Sequence, residues 1–293
     1  MHMHCPPLIS AVGKSLQKVV SSTAAQGVRC AIGLLKAVRP GRSIRFVGSY
    51  GDWSAAVASC EGYAAPVILQ RVRDSAAKVR DGIVPYERDG VTFDRALSPF
   101  PLITCLLRIG LGAGGKLRVL DFGGSLGTTY YQCRDFLREL GEVAWCVVEQ
   151  ENFVRCGKAE FERGALRFEY SLELAMQGQP FDVILLSSVL PYHPDPYGLL
   201  QQVCECRLPW ILIDRTPLLA EGDECITVQH TPAWVYGAPV RYPARFLCRD
   251  GLEEVLRRHY DKCLEFTALD PRARVGDRWA EYVGQLWQRR NIL

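Results

Sequence analysis

The stretch Val119-Leu120-Asp121-Phe122-Gly123-Gly124-Ser125-Leu126-Gly127-Thr128 constrains the fold more than any other part of this chain. It is a short apolar run ending in an acid, then a glycine-rich turn, then a helical pattern. That order describes a parallel strand feeding a ligand-binding loop and a helix. Gly123 and Gly127 permit positive φ and close approach of backbone to a ligand. Apolar residues Tyr130, Cys133, Phe136, Leu137 and Leu140 share one helical face, which predicts a helix over 128–140.

The acid before the glycines decides what the loop can hold. A dinucleotide loop of the dehydrogenase type reads G-x-G-x-x-G and has no acid there. Here the pattern is Asp-x-Gly-x-Ser-x-Gly. It resembles the first motif of class I S-adenosylmethionine-dependent methyltransferases, D/E-x-G-x-G-x-G, with Ser125 in place of the middle glycine. The methionine part of that ligand carries an ammonium and a sulfonium, which suit a carboxylate better than a pyrophosphate does. A second acid, Glu149, closes the run Trp145-Cys146-Val147-Val148-Glu149-Gln150. Its place, about twenty residues past the loop, suits a carboxylate accepting the ribose hydroxyls.

The rest of the chain agrees with an α/β sheet. From residue 117 onward, strands expected at 118–121, 145–149, 166–170, 183–187 and 210–214 alternate with helices at 128–140, 152–163, 171–177 and 196–206. A turn-rich insertion is expected at 216–245, a helix at 249–259, and terminal strands at 262–269 and 279–287. The organisation expected is a basic amphipathic helical segment at 1–43, a helical accessory or lid region at 44–116, and a cofactor-binding core at 117–293. The first segment holds Lys14, Lys18, Arg29, Lys36, Arg39 and Arg42 and no acid. Such a segment can pack on the protein itself, on a second subunit, or on an anionic membrane surface.

Bulk properties exclude several classes. A net charge of +3 without a long basic block gives no footprint for nucleic acid. No run is long enough to span a membrane, and the N-terminus lacks the form of a signal peptide. The twelve cysteines form no C-x-x-C pair and no zinc spacing, so the expectation is reduced thiols and no metal site. The location expected is cytoplasmic, with contact at the inner membrane face left open.

Several stretches together resemble a family of bacterial methyltransferases met in gene neighbourhoods for surface polysaccharides. They are Gly51-Asp52-Trp53, Glu87-Arg88-Asp89, Val119 through Gly127, Val148-Glu149-Gln150, Ile184 through Leu190, and Ile213-Asp214-Arg215-Thr216-Pro217. The resemblance covers roughly residues 46–270. It implies a class I, Rossmann-like doubly wound sheet, S-adenosylmethionine as cofactor, and a sugar or glycan acceptor. It implies that Asp121, Gly123, Gly124, Ser125 and Gly127 meet the methionine end. Glu149 would hold the ribose, Gln150 would sit by the adenine, and Ser187, Ser188 and Val189 would lie beneath the ligand, facing the acceptor.

An oxygen acceptor needs its proton removed by a positioned base. The candidates are His193 in a proline-rich turn, Asp214 and Arg215 ending the fifth strand, and His230 in the insertion. Arg215 can bind an anionic acceptor group or pair with Asp214. Tyr50, Asp52, Trp53, Tyr86, Glu87 and Arg88 are candidates for a lid wall. Two alternatives stay open: a nucleotide-sugar or NAD-dependent enzyme on the same sheet, and a non-catalytic methyltransferase-like binding protein. Asp121 and the missing third glycine argue against the first; the intact acids Asp121 and Glu149 argue against the second.

Overall fold

The computed structural model describes residues 43–63, 65–178 and 180–290. The basic segment expected at 1–43 therefore lies outside the described residues except for Ser43. Five parallel strands form the centre: β4 (Lys116–Phe122), β5 (Glu142–Val148), β6 (Leu166–Glu169), β7 (Val183–Ser187) and β8 (Trp210–Leu219). They lie in the order β6-β5-β4-β7-β8. The chain winds outward from β4 in both directions, so a crevice opens at the carboxyl ends of β4 and β7, where ligands of doubly wound sheets bind. Beyond β8 the sheet turns antiparallel, through β13 (Arg278–Arg289) and then β11 (Tyr260–Thr267).

The strands are apolar on both faces, which is why helices cover both. Successive residues alternate between the two cores. Val119, Val147, Val183, Leu185 and Leu212 pack with α2 (Pro66–Arg80), α3 (Phe100–Gly112), α4 (Thr128–Cys133) and α5 (Glu151–Cys156). Leu120, Val148, Ile184, Leu186, Ile211 and Ile213 pack on the other side, against α6 (Leu172–Met176), α7 (Pro196–Glu205) and α9 (Arg249–Arg257).

Three expectations need correction. The helix expected over 128–140 stops at Cys133, and the remainder ends in a tight turn at Leu137–Glu139. That turn presses Leu140 onto α3, so close that a Cβ on Gly110 would lie 2.6 Å from it. The insertion at 216–245 is not turn-rich. β8 runs on to Leu219, followed by β9 (Cys225–Thr231), the short α8 (Ala233–Tyr236) and β10 (Val240–Cys248). Pro217 and Pro243 within these strands speak against strand in the sequence. Lastly, 44–116 is not wholly helical. It opens with β1 (Arg45–Tyr50), which pairs with β9 and with β12 (Ala273–Val275). After α1 (Trp53–Ala58) and α2 it holds the hairpin β2 (Tyr86–Arg88) and β3 (Val91–Phe93). The pairings β8-β10-β9-β1-β12-β13-β8 close a circuit beside the parallel sheet.

Among the described residues no helix is long and apolar enough to cross a membrane, the cysteines are free thiols, and no group of three or more His, Cys, Asp or Glu side chains is placed to hold a metal ion.

Candidate active site

Asp121 lies near the end of β4 and is fully buried. Its Oδ2 accepts a hydrogen bond from the Trp145 indole at 2.9 Å, while Oδ1 has no partner. Burial pushes its pKa up to about 7, against the pull of the indole N–H. The loop folds directly over this carboxyl: a Cβ on Gly124 would sit 2.5 Å from Oδ2, so the position admits no side chain. Gly123, at φ +75°, meets Val189 in the same way, at 2.5 Å. Ser125 adopts φ +56°, a left-handed conformation that glycine adopts freely. The residue that departs from the family pattern thus keeps the backbone shape a glycine would give.

Glu149 follows β5 and is half-buried. Its Oε2 accepts the Gln150 N–H at 2.7 Å. Burial raises its pKa, while the backbone N–H groups of Gln150 and Ser125 work in the opposite direction. The Ser125 contact ties the loop to the end of the neighbouring strand. Gln150 itself is exposed at the start of α5.

On the other side of the crevice, Ser187 ends β7 and Ser188 turns at φ +57°. The Ser187 hydroxyl donates to Asp214 Oδ2 at 3.0 Å, and the Ser188 N–H donates to the Asp214 carbonyl at 2.9 Å. Asp214 is 4% exposed, and burial raises its pKa against the pull of Arg215 and Ser187. Asp214, Ser187, Tyr86, Arg88, Thr128 and Arg215 line one cleft.

Arg215 does not pair with Asp214, one of the two partners expected from sequence. At φ +51° its side chain turns away from Asp214 and binds Asp270 through two hydrogen bonds, at 2.9 and 3.3 Å, with Asp89 3.7 Å away. Arg88 reaches the same Asp270 at 3.2 Å. Burial works against the Arg215 charge, but Asp270 and Asp89 outweigh it and hold its pKa above the usual arginine range.

Glu87 has a more central place than a lid wall. It is 2% exposed, and its carboxylate accepts from the Thr128 hydroxyl at the start of α4 and from the Gly90 N–H at 3.2 Å. Burial pushes its pKa up to about 7. Asp89 and Gly90 both have positive φ, as in the two-residue hairpin turns that favour Asp-Gly. That dipeptide was the available sequence signal for the hairpin. Asp270 had none, because its partners are distant in sequence. Tyr50 and Trp53 instead pack with Ile226 and Val228 around α1, and Asp52 caps that helix through the Ala55 N–H at 2.8 Å.

The histidines separate. His193 stays beside the end of β4, its ring 6.4 Å from that of Phe122, and its Nδ1 lies 2.7 Å from the Asp195 carbonyl oxygen and 3.2 Å from the Asp195 nitrogen. His230 lies elsewhere. On β9, Gln229 and Thr231 point inward to Tyr242 at 2.7 and 3.3 Å, and His230 takes the opposite face, flanked in register by Arg45 and Arg241. Burial and these two arginines lower its pKa. The structure does not bring His230 to the cleft.

A buried carboxylate oxygen without a partner, a loop without a Cβ above it and an acid at the next strand end fit the cationic amino-acid part and the ribose of S-adenosylmethionine. No family model matches the chain, and no curated protein matches it. Solved structures align over long stretches with low scores. The Burkholderia thailandensis 1,6-didemethyltoxoflavin-N1-methyltransferase, with bound 1,6-didemethyltoxoflavin and S-adenosylhomocysteine, covers 87% of this chain and 98% of its own at 16% identity, TM-score 0.43. A S-adenosylmethionine-dependent methyltransferase from Clostridium acetobutylicum covers 67% and 93% at 10% identity, TM-score 0.42. The magnesium protoporphyrin IX methyltransferase from Synechocystis, with bound S-adenosylmethionine, covers 65% and 79% at 10% identity, TM-score 0.40. Likeness at this level leaves activity and acceptor to the geometry of the site.

Proposed function

We propose that this chain is an S-adenosylmethionine-dependent methyltransferase acting on a hydroxyl of a sugar or glycan intermediate. The observation that carries the reading is the convergence of three acids, Asp121 and Asp214 buried and Glu149 half-buried, around the carboxyl ends of β4, β5 and β7. Asp121 lies under the loop with a free oxygen, Glu149 is tied to that loop through Ser125, and Asp214 is tied to the end of β7 through Ser187. Bound S-adenosylmethionine would supply a methyl group activated on a sulfonium. The glycine loop and Asp121 would hold the ammonium-bearing portion, and Glu149 the ribose hydroxyls. Ser187, Ser188 and Val189 would line the floor between cofactor and acceptor.

Asp214 is the base in this reading. Its side chain lines the cleft and is oriented by Ser187, and its raised pKa makes it a better proton acceptor than a solvated carboxylate. In methyl transfer to the acceptor oxygen, Asp214 would take up the hydroxyl proton. His193, which is not among the residues lining that cleft, is the weaker candidate. A cleft walled by Tyr86, Thr128, Ser187 and Arg88 suits a polyhydroxylated acceptor, with an aromatic ring beside hydrogen-bonding groups.

Calorimetric titration of S-adenosylhomocysteine and of NAD tests the cofactor. Binding of the first alone, lost in Asp121→Ala and Glu149→Ala, is expected; absence of binding to the wild type removes the reading. Asp214→Asn is expected to lower kcat by about 10²–10⁴ with cofactor affinity unchanged. A normal kcat in that variant would move the base elsewhere.

A further inference from the structure

We infer that the cleft recognises a second, uncharged oxygen of the acceptor, beside the one methylated, through the Tyr86 hydroxyl and the Arg88 Nε–H. This rests on the methyltransferase reading of the site and narrows its substrate class to neutral vicinal diols or hydroxy-carbonyl units.

The starting observation is a pair of orphans. Tyr86 is 3% exposed and its hydroxyl has no hydrogen-bond partner. The Arg88 Nε–H is also buried and has none, although the same guanidinium binds Asp270 through Nη1. Buried donors are nearly always satisfied in folded proteins, so each exception calls for a physical explanation. Residues two apart on a strand project from the same face. Accordingly, the Arg88 guanidinium carbon lies 5.6 Å from the centre of the Tyr86 ring, and both residues line the cleft that holds Asp214 and Ser187.

Charge decides what kind of oxygen fits. Arg88 and Arg215 offer two positive charges, and Asp270 and Asp89 already offset both. Asp214 adds a carboxylate beside them. A phosphate or carboxylate would find no net positive field and would face Asp214 across the cleft. A hydroxyl, ether or carbonyl oxygen needs only the two donors. The Tyr86 phenol can serve as one throughout the neutral range, since burial pushes its pKa up to about 12. Held at that oxygen, the acceptor turns the adjacent hydroxyl toward Asp214, which would fix the position methylated.

The test uses the full chain saturated with S-adenosylhomocysteine and labelled with ¹⁵N-arginine. The probes are the methyl α-glycosides of D-glucose, D-mannose and L-rhamnose, with inorganic phosphate and methyl α-D-glucuronide as charged counterparts. At least one neutral glycoside should shift the Arg88 Nε–H resonance, and the charged probes should not. Tyr86→Phe, which preserves the ring and its packing, should weaken binding of that glycoside by about tenfold. It should leave S-adenosylhomocysteine affinity unchanged. A response to phosphate or glucuronide in preference, silence toward every glycoside, or full affinity in Tyr86→Phe would each overturn the subsite. Failure to bind S-adenosylhomocysteine would instead overturn the reading on which it rests, so the two failures are separable.

Discussion

Asp121 and Glu87 on one side of the crevice and Asp270 on the other respond to their surroundings in opposite ways. On the cofactor side, Asp121 has an indole N–H and Glu87 has a hydroxyl and a backbone N–H, but no cation is hydrogen-bonded to either carboxylate. Burial therefore wins, and both pKa values rise to about 7. On the acceptor side, Asp270 is half-buried and lies between Arg215 and Arg88, which together outweigh burial and pull its pKa below the usual carboxylate range. One side is short of positive charge and suited to a cationic ligand. The other is already neutral, and its remaining selectivity lies in hydrogen bonds.

Breaking the neutral side should have the largest effect on stability. Asp270→Ala leaves two half-buried guanidinium groups without their shared partner and is expected to cost about 3 kcal/mol in denaturant unfolding. A loss below about 1 kcal/mol would show that water replaces the carboxylate, and the contrast between the two sides would weaken.

The acid-rich side should show itself through pH. Asp121 and Glu87 have folded pKa values above their unfolded ones, so the stability they contribute is full below about pH 4 and is lost as pH rises through about 7. Asp270 has the opposite sign, and its contribution is lost as pH falls below about 4. The unliganded protein should thus melt at progressively lower temperature between about pH 4 and 7. Glu87→Gln should remove roughly 2–3 kcal/mol of that pH dependence. Parallel melting curves for variant and wild type across this range would contradict the assignment.

Gly124→Ala sharpens the comparison from the side of shape. Its methyl group would press on the Asp121 carboxyl, which cannot move without leaving Trp145. A destabilisation of about 1–3 kcal/mol is expected, together with loss of S-adenosylhomocysteine binding in calorimetry. The smallest effect belongs to His230→Ala, within about 0.5 kcal/mol, with an unchanged pH–rate profile, because His230 faces away from both sides of the crevice. A tenfold fall in kcat there would return it to the site.

The readable parts of this protein are those whose partners are near in sequence. Asp121 and Trp145 are 24 residues apart, and strand, loop, helix and next strand follow one another directly. Hydrophobic periodicity and two glycines were enough to outline the doubly wound sheet and to mark its acids. The acceptor side is built over longer spans. Arg215 and Asp270 are 55 residues apart, and Arg88 and Asp270 are 182. Neither Asp270 nor the orphaned donors of Tyr86 and Arg88 leave a local signal, and His230, read as part of an insertion over the acceptor, was a candidate base until β9 took its register.

By itself, then, the sequence determined the alternation of strand and helix, the loop over Asp121 and the strand-end acids. These follow from side-chain period and backbone sterics acting within a few tens of residues. Only the tertiary structure decided which face His230 takes, which carboxylate captures Arg215, and how β1, β9, β10 and β12 close their circuit with β8 and β13. Those outcomes depend on strand register and on competition between charges brought together by folding, and neither is encoded in any one segment.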